Sequence, residues 1–231
     1  MLNKFLNILF PEICPVCKKP AIRHYTAPIC FGCWQAILHY KGHKCQRCGK
    51  PLVSDISSCG DCIEDEPVFR SAVSFGLYEG ALKKAINLFK YHRVKRLAKP
   101  LSDKILQTEL PRADIIIPVS LHSKRLRQRE FNQSALLARH VAKSLRIHLL
   151  ADCLIKTRDT LPQVGLRAKD RRKNIRKAFE VRNRDLIYRK NIMLVDDVYT
   201  TGATVRECSK ALKKAGAEDV YVITISHSRG D

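Results

Sequence analysis

Two adjacent carboxylates, Asp196 and Asp197, close an apolar run in the stretch NIMLVDDVYTTGAT (191–204), and a Thr/Gly-rich turn follows at once. Free backbone N–H groups at the start of a helix, with the positive end of its dipole, favour a phosphate. Thr200, Thr201 and Thr204 add hydroxyl donors; Gly202, next to Ala203, lets the backbone approach the oxygens closely. Carboxylates beside such a cup accept hydrogen bonds from vicinal ribose hydroxyls, or hold them through a divalent metal and water. The chemistry that uses both halves is that of a ribose 5-phosphate whose C1 carries a leaving group. An isolated Asp-Asp pair would read as two solvent-facing acids at a strand end, but the Thr-Thr-Gly-x-Thr cup at fixed distance argues against that.

A second chemistry is written in the first 62 residues. Eight of the ten cysteines form four Cys-x-x-Cys pairs: Cys14/Cys17, Cys30/Cys33, Cys45/Cys48 and Cys59/Cys62, separated by 12, 11 and 10 residues. Two thiolates three positions apart on a tight turn bind one metal, and two such turns close a tetrahedron, so two structural zinc ions are the natural count. Iron in the same four-thiolate geometry is the competing metal. Disulfides of a secreted domain would call for a signal peptide, and redox catalysis would not need four copies of the motif. Consecutive pairing of the motifs is the simplest arrangement, and a crossed one stays open. Cys153 and Cys208 stand alone and read as core residues.

Charge divides the chain in the same place. Residues 1–66 carry 8 basic and 6 acidic side chains, whereas residues 67–231 carry 35 and 16, and 121–190 alone holds 20 against 6. Eight thiolates and two zinc ions add −4, turning the cysteine module from +2 to −2. A concentration of positive charge downstream of it favours nucleic acid, phosphorylated metabolites or an anionic surface; a solvated basic face is the alternative. No run approaches the ~20 apolar residues of a membrane-spanning helix. Leu2–Phe10, which lacks a small-residue cleavage site, reads as an amphipathic helix docked on the rest, with a membrane-surface anchor as the other reading. Trp34, Tyr40 and Phe31 are expected to form the module's miniature core.

The elements that must position the site follow an acidic hinge at Glu64–Pro67. A strand is expected over 68–78, helices over 81–91 and 96–108, a strand over 113–119, a basic loop, and a helix over 132–146 with Leu136, Leu137, His140, Val141 and Leu145 on one face. Asn132 is a candidate cap for that helix. A short strand near 149–155 leads into a Lys/Arg-rich stretch, 156–178, without strong periodicity. The chain closes with strand 191–195, a helix over 203–215 burying Val205, Cys208, Leu212 and Ala215, and strand 219–225. Short apolar strands joined by helices imply an α/β fold with a mainly parallel sheet covered on both faces, residues 67–231, preceded by the small four-cysteine zinc-ribbon-like module, residues 1–66. Ligands of such sheets sit at the carboxyl ends of the strands, where Asp196 and Asp197 lie.

Asp-Asp-x-x-Thr-Thr-Gly-x-Thr resembles the phosphoribosyl pyrophosphate (PRPP) loop of type I phosphoribosyltransferases. The stretches YEGALKKAINLFKYH (78–92), IIPVSLHSKRLRQREFNQSALLA (116–138) and KTRDTLPQVGLRAKDRRKNIRKAF (156–179) are similar to the ComF family, competence-associated bacterial proteins with a cysteine-rich N-terminal module and a phosphoribosyltransferase-like domain. The resemblance implies a pyrophosphate loop at Val119, Ser120 and Leu121, with Lys124, Arg125, Arg127 and Arg129 available to anions. It also implies a closing loop over 158–172 that offers Arg158, Arg167, Arg171 and Arg172. The family usually has Pro where Ser120 stands and Gly where Glu130 stands. His122, beside the pyrophosphate loop, is the one histidine whose position invites a test.

In function, the resemblance implies a cytoplasmic competence protein that handles imported single-stranded DNA, with DNA-uptake proteins as partners and a site for PRPP and Mg²⁺. The readings beside it are a phosphoribosyltransferase acting on an unknown nucleophile, with Asp196 and Asp197 as its catalytic pair, and a PRPP-sensing regulator without turnover. The motif specifies a ligand class more firmly than a reaction.

Overall fold

The computed structural model describes residues 11–160 and 173–229. Five parallel strands form the central sheet in the order β3 (Ser71–Leu77), β9 (Val220–His227), β8 (Ile192–Tyr199), β4 (Ile115–Pro118) and β5 (His148–Leu149). Alternation along β8 explains the layering, because Met193 and Val195 pack into one core cluster while Ile192 and Leu194 pack into another. The sheet is buried on both faces, as a parallel sheet must be. This is the mainly parallel α/β architecture expected of the chain.

On the first face lie α3 (Gly80–Tyr91), α4 (Ala98–Ile105) and α6 (Gln133–Leu145). Their buried stripes, Leu82/Ala85/Ile86/Phe89 in α3 and Leu137/Ala138/Val141/Ala142 in α6, follow helical spacing. Of the face expected on α6, Leu145 is instead exposed. Asn132 caps that helix by accepting from the Ser134 N–H at 3.1 Å, and its amide donates to the Val119 carbonyl at 2.9 Å. On the second face α7 (Ala203–Lys214) buries Val205, Cys208 and Leu212.

Three expectations need correction. The basic loop contains a helix, α5 (Ser123–Arg129), which buries none of its residues and so carries no apolar periodicity to read. The short strand near 149–155 is two separate pieces: β5 joins the main sheet, while β6 (Leu154–Lys156) pairs antiparallel with β7 (Phe179–Val181), the two strands bracketing the stretch that shows no periodicity. Strand β8 does not stop at 195 but runs through the acid pair to Tyr199, paired with β9 up to Tyr199–His227.

The N-terminal module is a structural repeat. Cys14–Lys19 and Cys45–Lys50 form the same knuckle, each with the first cysteine's N–H donating to the carbonyl five residues on. The two remaining pairs each open a single helical turn, α1 (Phe31–Gln35) after Cys30 and α2 (Gly60–Glu64) after Cys59. Strands β1 (Glu12–Ile13) and β2 (Pro20–Ala21) flank the first knuckle. Trp34 is buried as expected, but Phe31 is exposed beneath the Arg23 guanidinium, 3.6 Å from its ring centroid. Asp65 and Glu66 of the acidic hinge are tied down, Asp65 by Arg206 and Glu66 by Arg47 at 2.9 Å. Among the described residues no helix is long and apolar enough to cross a membrane. The helix expected over Leu2–Phe10 lies outside the described residues.

Candidate phosphosugar site and paired metal centres

At the carboxyl ends of β4 and β8 opens a cavity of about 850 Å³. Its lining brings together most of the residues singled out in the sequence: Asp196 and Asp197, then Thr200, Gly202, Ala203 and Thr204, then Val119, Ser120 and Leu121, with Arg125 and Arg129 at the side. Thr201 is not in the lining; its hydroxyl accepts from the Ala203 N–H at 3.4 Å and so braces the turn. Nor are Lys124, Arg127 and Arg158, although Lys124 pairs with Asp159 at 3.2 Å and Arg158 donates to the Arg176 carbonyl at 2.7 Å. Arg167, Arg171 and Arg172 lie outside the described residues.

The acid pair is held rather than free. The Asp196 Oδ1 accepts from the Ser134 hydroxyl and from the Asp197 N–H, both at 2.9 Å. The Asp197 Oδ1 meets the Lys90 Nζ at 2.8 Å, with both side chains largely buried. Burial and the neighbouring Asp197 charge push the Asp196 carboxyl up to about 7, against the pull of Lys90. Burial disfavours the Lys90 ammonium, but the Asp197 charge and hydrogen bond and the Asp196 charge together more than offset it, so Lys90 is held above its ordinary value and stays cationic.

Lys90 was not evident from the motifs. Its signal was its place on α3, four residues after Ile86 and one after Phe89, which puts an ammonium at the edge of a buried stripe. Lys156 was likewise missed; it lines the cavity, and burial followed by the Arg125 charge lowers it to about 8.

The cup is built on Gly202, whose φ of +73° begins α7, and a β-carbon there would collide with the Tyr199 ring and hydroxyl. Tyr199 stacks on His227 with centroids 4.5 Å apart and packs edge-on to Phe69. The departure at Glu130 has a structural outcome: it ends α5 at φ +66°, the conformation glycine adopts without strain, and its carboxylate goes to Arg93 at 2.6 Å. Ser120 lies in the cavity lining with its hydroxyl oxygen buried and without a hydrogen-bond partner among the described residues. His122 caps α5 and faces Asp159 at 3.7 Å.

The eight paired cysteines form two sets in consecutive order, Cys14/Cys17/Cys30/Cys33 and Cys45/Cys48/Cys59/Cys62, with the four sulfurs of each set within 4.8 Å of one another. The Cys17–Cys30 and Cys48–Cys59 sulfurs are each 3.5 Å apart, close to the ~3.8 Å that a tetrahedron with 2.3 Å zinc–sulfur bonds requires. Burial opposes ionisation of Cys14 and Cys45, yet backbone N–H groups lower them to about 6 and about 7, while burial raises Cys62 to about 12. Only a bound cation lets all four thiols of a set ionise together. Cys153 and Cys208 are both buried, as expected.

Residues 5–63 match the family described as a double zinc ribbon domain. Competence protein F of Haemophilus influenzae is 35% identical over 206 residues, covering 84% of this chain and 88% of its own. The chain belongs to the ComF family. The DNA utilization protein YhgH of Escherichia coli K12 is 31% identical to this ComF chain over 92% of it and 95% of its own length. The competence protein ComFC of Bacillus subtilis is 25% identical over 87% of the chain and 84% of its own. Among solved structures, a B. subtilis glutamine PRPP amidotransferase complexed with ADP and GMP aligns with 55% of the ComF chain and 25% of its own, at 24% identity and a TM-score of 0.39. That likeness says nothing of this chain's ligand.

Proposed function

We propose that this chain is a cytoplasmic competence protein that handles imported single-stranded DNA in natural transformation and carries a PRPP- and Mg²⁺-binding site of phosphoribosyltransferase type. The observation that carries the reading is a single cavity in which a braced acid pair, a helix-start cup and a second loop face one another. The backbone of 200–204 suits the 5-phosphate and the Val119–Leu121 loop suits the pyrophosphate, with the unpartnered Ser120 hydroxyl free to donate. Lys90 and Ser134 fix the carboxylates, so that they accept from the ribose hydroxyls without having to be reorganised. Arg125 and Arg129 add positive charge at the pyrophosphate end. Mg²⁺, when bound with PRPP, neutralises the pyrophosphate. Lys124, Arg127 and Arg158, outside that cavity, supply nucleic-acid phosphate contacts together with Arg167, Arg171 and Arg172, and DNA-uptake proteins are the natural partners.

The second reading is a phosphoribosyltransferase on an unknown nucleophile. What favours it is the acid pair itself, since carboxylates beside the ribose stabilise the positive charge that C1 acquires as pyrophosphate departs. Retention of PRPP without turnover would make the protein a PRPP-sensing regulator instead.

Calorimetry of the zinc-loaded protein with PRPP and Mg²⁺, with and without a single-stranded oligonucleotide, tests the proposal alongside an assay of pyrophosphate release. Wild type is expected to bind both ligands, Asp196→Asn with Asp197→Asn to lose PRPP by at least about tenfold, and DNA binding to survive that change. Pyrophosphate release by wild type that stops in the double variant moves the assignment to the transferase. Failure of either ligand to bind overturns the proposal.

A further inference from the structure

A second hollow, of about 420 Å³, lies beyond the phosphate cup and shares Ala203 with the main cavity as a wall. It is lined by five cations, Lys173, Arg176, Lys177, Arg206 and Lys210, against the two carboxylates Asp65 and Glu207, a net +3. Both carboxylates are engaged by the chain itself: Asp65 by the Arg206 guanidinium at 3.4 Å, and Glu207 by the Lys177 N–H at 2.5 Å. Lys173, Arg176, Lys177 and Lys210 are exposed and form no ion pair with a described residue. The floor is different. Arg206 is 6% exposed, with one terminal nitrogen donating to the Asp65 carbonyl at 2.6 Å and the other 3.8 Å from the Cys62 sulfur, while its Nε has no hydrogen-bond partner among the described residues.

A buried guanidinium with an unused donor, in one hollow with four exposed cations that are unpaired among the described residues, concentrates positive charge that an oxyanion neutralises. The cations come from two elements, the segment 173–177 and the helix α7. Positive charge also continues out of the hollow, because Arg158 donates to the Arg176 carbonyl. That layout follows a chain of phosphates rather than enclosing a single one. Ile175 and Ala203, both buried, give the wall an apolar patch for a sugar or base edge.

We infer that this hollow is a second anion site, separate from the phosphosugar cavity, which holds a backbone phosphate of single-stranded nucleic acid. The inference rests on the nucleic-acid half of the proposed function and is independent of its PRPP half.

The test is fluorescence anisotropy with a labelled 20-residue oligothymidylate, read between 50 and 200 mM salt, on the zinc-loaded full chain. Arg176→Glu with Lys210→Glu, both exposed positions, is expected to weaken oligonucleotide binding at least about tenfold, and to reduce the salt slope by roughly 1.4 for two lost contacts on a single strand. PRPP affinity, zinc content and Tm are expected to stay at wild-type values. Glu207→Gln, which keeps an acceptor for the Lys177 N–H, is expected to tighten the oligonucleotide a few-fold. Oligonucleotide affinity unchanged by the double reversal, but lost on Lys124→Glu with Arg127→Glu, overturns this site and leaves the proposed function intact. No binding by wild type overturns both. Displacement of the oligonucleotide by inorganic phosphate or thymidine monophosphate at an equal concentration of phosphate groups also overturns the inference, and makes the hollow a small-anion site.

Discussion

The two zinc ribbons are copies of one design set in opposite environments. In the first, Cys17 is exposed and Cys33 half-buried; in the second, all four cysteines are buried. The first ribbon belongs to the core cluster of α3 and α4 and is held there by long side chains, Lys104 donating to the Ile37 carbonyl at 2.8 Å and Arg96 to that of Ala27 at 2.8 Å. The second belongs to the opposite cluster, with Tyr199, Ala203 and Val205, so it stands directly behind the cup at Gly202. Its backbone joins the start of the sheet through the Ala72 N–H, which donates to the Arg47 carbonyl at 2.8 Å, and Arg206 reaches it from the first turn of α7. The lesson is that a metal site's surroundings, not its ligands, decide what its loss would cost.

The largest expected effect breaks the symmetry at the metals. A buried thiolate stripped of its cation has no solvent to fall back on, so Cys48→Ser should cost about 3–5 kcal/mol, as for any buried charge that loses its partner. Cys17→Ser, open to water, should cost about 1 kcal/mol, near the centre of ordinary point substitutions. Chemical denaturation with zinc content followed in parallel checks both. Equal losses would mean that burial does not govern the two sites.

The next effect separates the ties that bind each ribbon to the sheet. Arg206→Ala removes a buried guanidinium that donates to the Asp65 carbonyl and opens a gap beneath the cup; about 2–4 kcal/mol and weakened binding at the proposed PRPP site are expected. Lys104→Ala removes one hydrogen bond and an ammonium 5.3 Å from the Phe75 ring, and should cost no more than about 1.5 kcal/mol. Thermal melts together with PRPP calorimetry distinguish the two, because only the Arg206 change should reach the ligand.

Much of this was legible in the sequence. Cys-x-x-Cys spacing picked out the eight cysteines that gather into two four-sulfur sets, and the run from Asn191 through Thr204 picked out acids and a turn that line one cavity, because both patterns depend on fixed local spacing. Lys90 was hidden, since its meeting with Asp197 joins residues more than a hundred positions apart through packing alone. Arg206 was hidden for the same reason, reading as one more basic residue of an amphipathic helix. The helix Ser123–Arg129 escaped notice because it buries nothing, and periodicity reports only burial. Strand β8 was read too short because aspartate is depleted in strands, whereas here Asp196 pairs across to Thr224.

A smaller effect tests the knuckles. Gly49, at φ +73°, would place a β-carbon 2.7 Å from the Ala72 carbonyl oxygen, so Gly49→Ala combines left-handed strain with a backbone collision. A loss of about 2–3 kcal/mol is expected, the upper part of the ordinary range. Denaturation midpoints of the zinc-loaded variant check it, and a loss below that would mean that the second ribbon can shift away from β3.

The smallest effect runs in the opposite direction, and it comes from the matching position. Lys18 occupies in the first knuckle the place of Gly49 in the second and adopts nearly the same backbone, at φ +64°. A non-glycine residue pays roughly 1 kcal/mol to enter the left-handed region, and glycine offsets part of that gain by its larger freedom in the unfolded chain. Lys18→Gly should therefore stabilise the chain by no more than about 0.5 kcal/mol, once both terms are set against each other. The exposed lysine side chain adds nothing that the substitution would remove from the core. A rise in the denaturation midpoint in Lys18→Gly beside a fall in Gly49→Ala would show that one knuckle conformation is required in both ribbons, and that only the second is pressed against the sheet. A fall in both would instead mean that Lys18 is held by a contact of its own and that the repeat is less exact than its backbone.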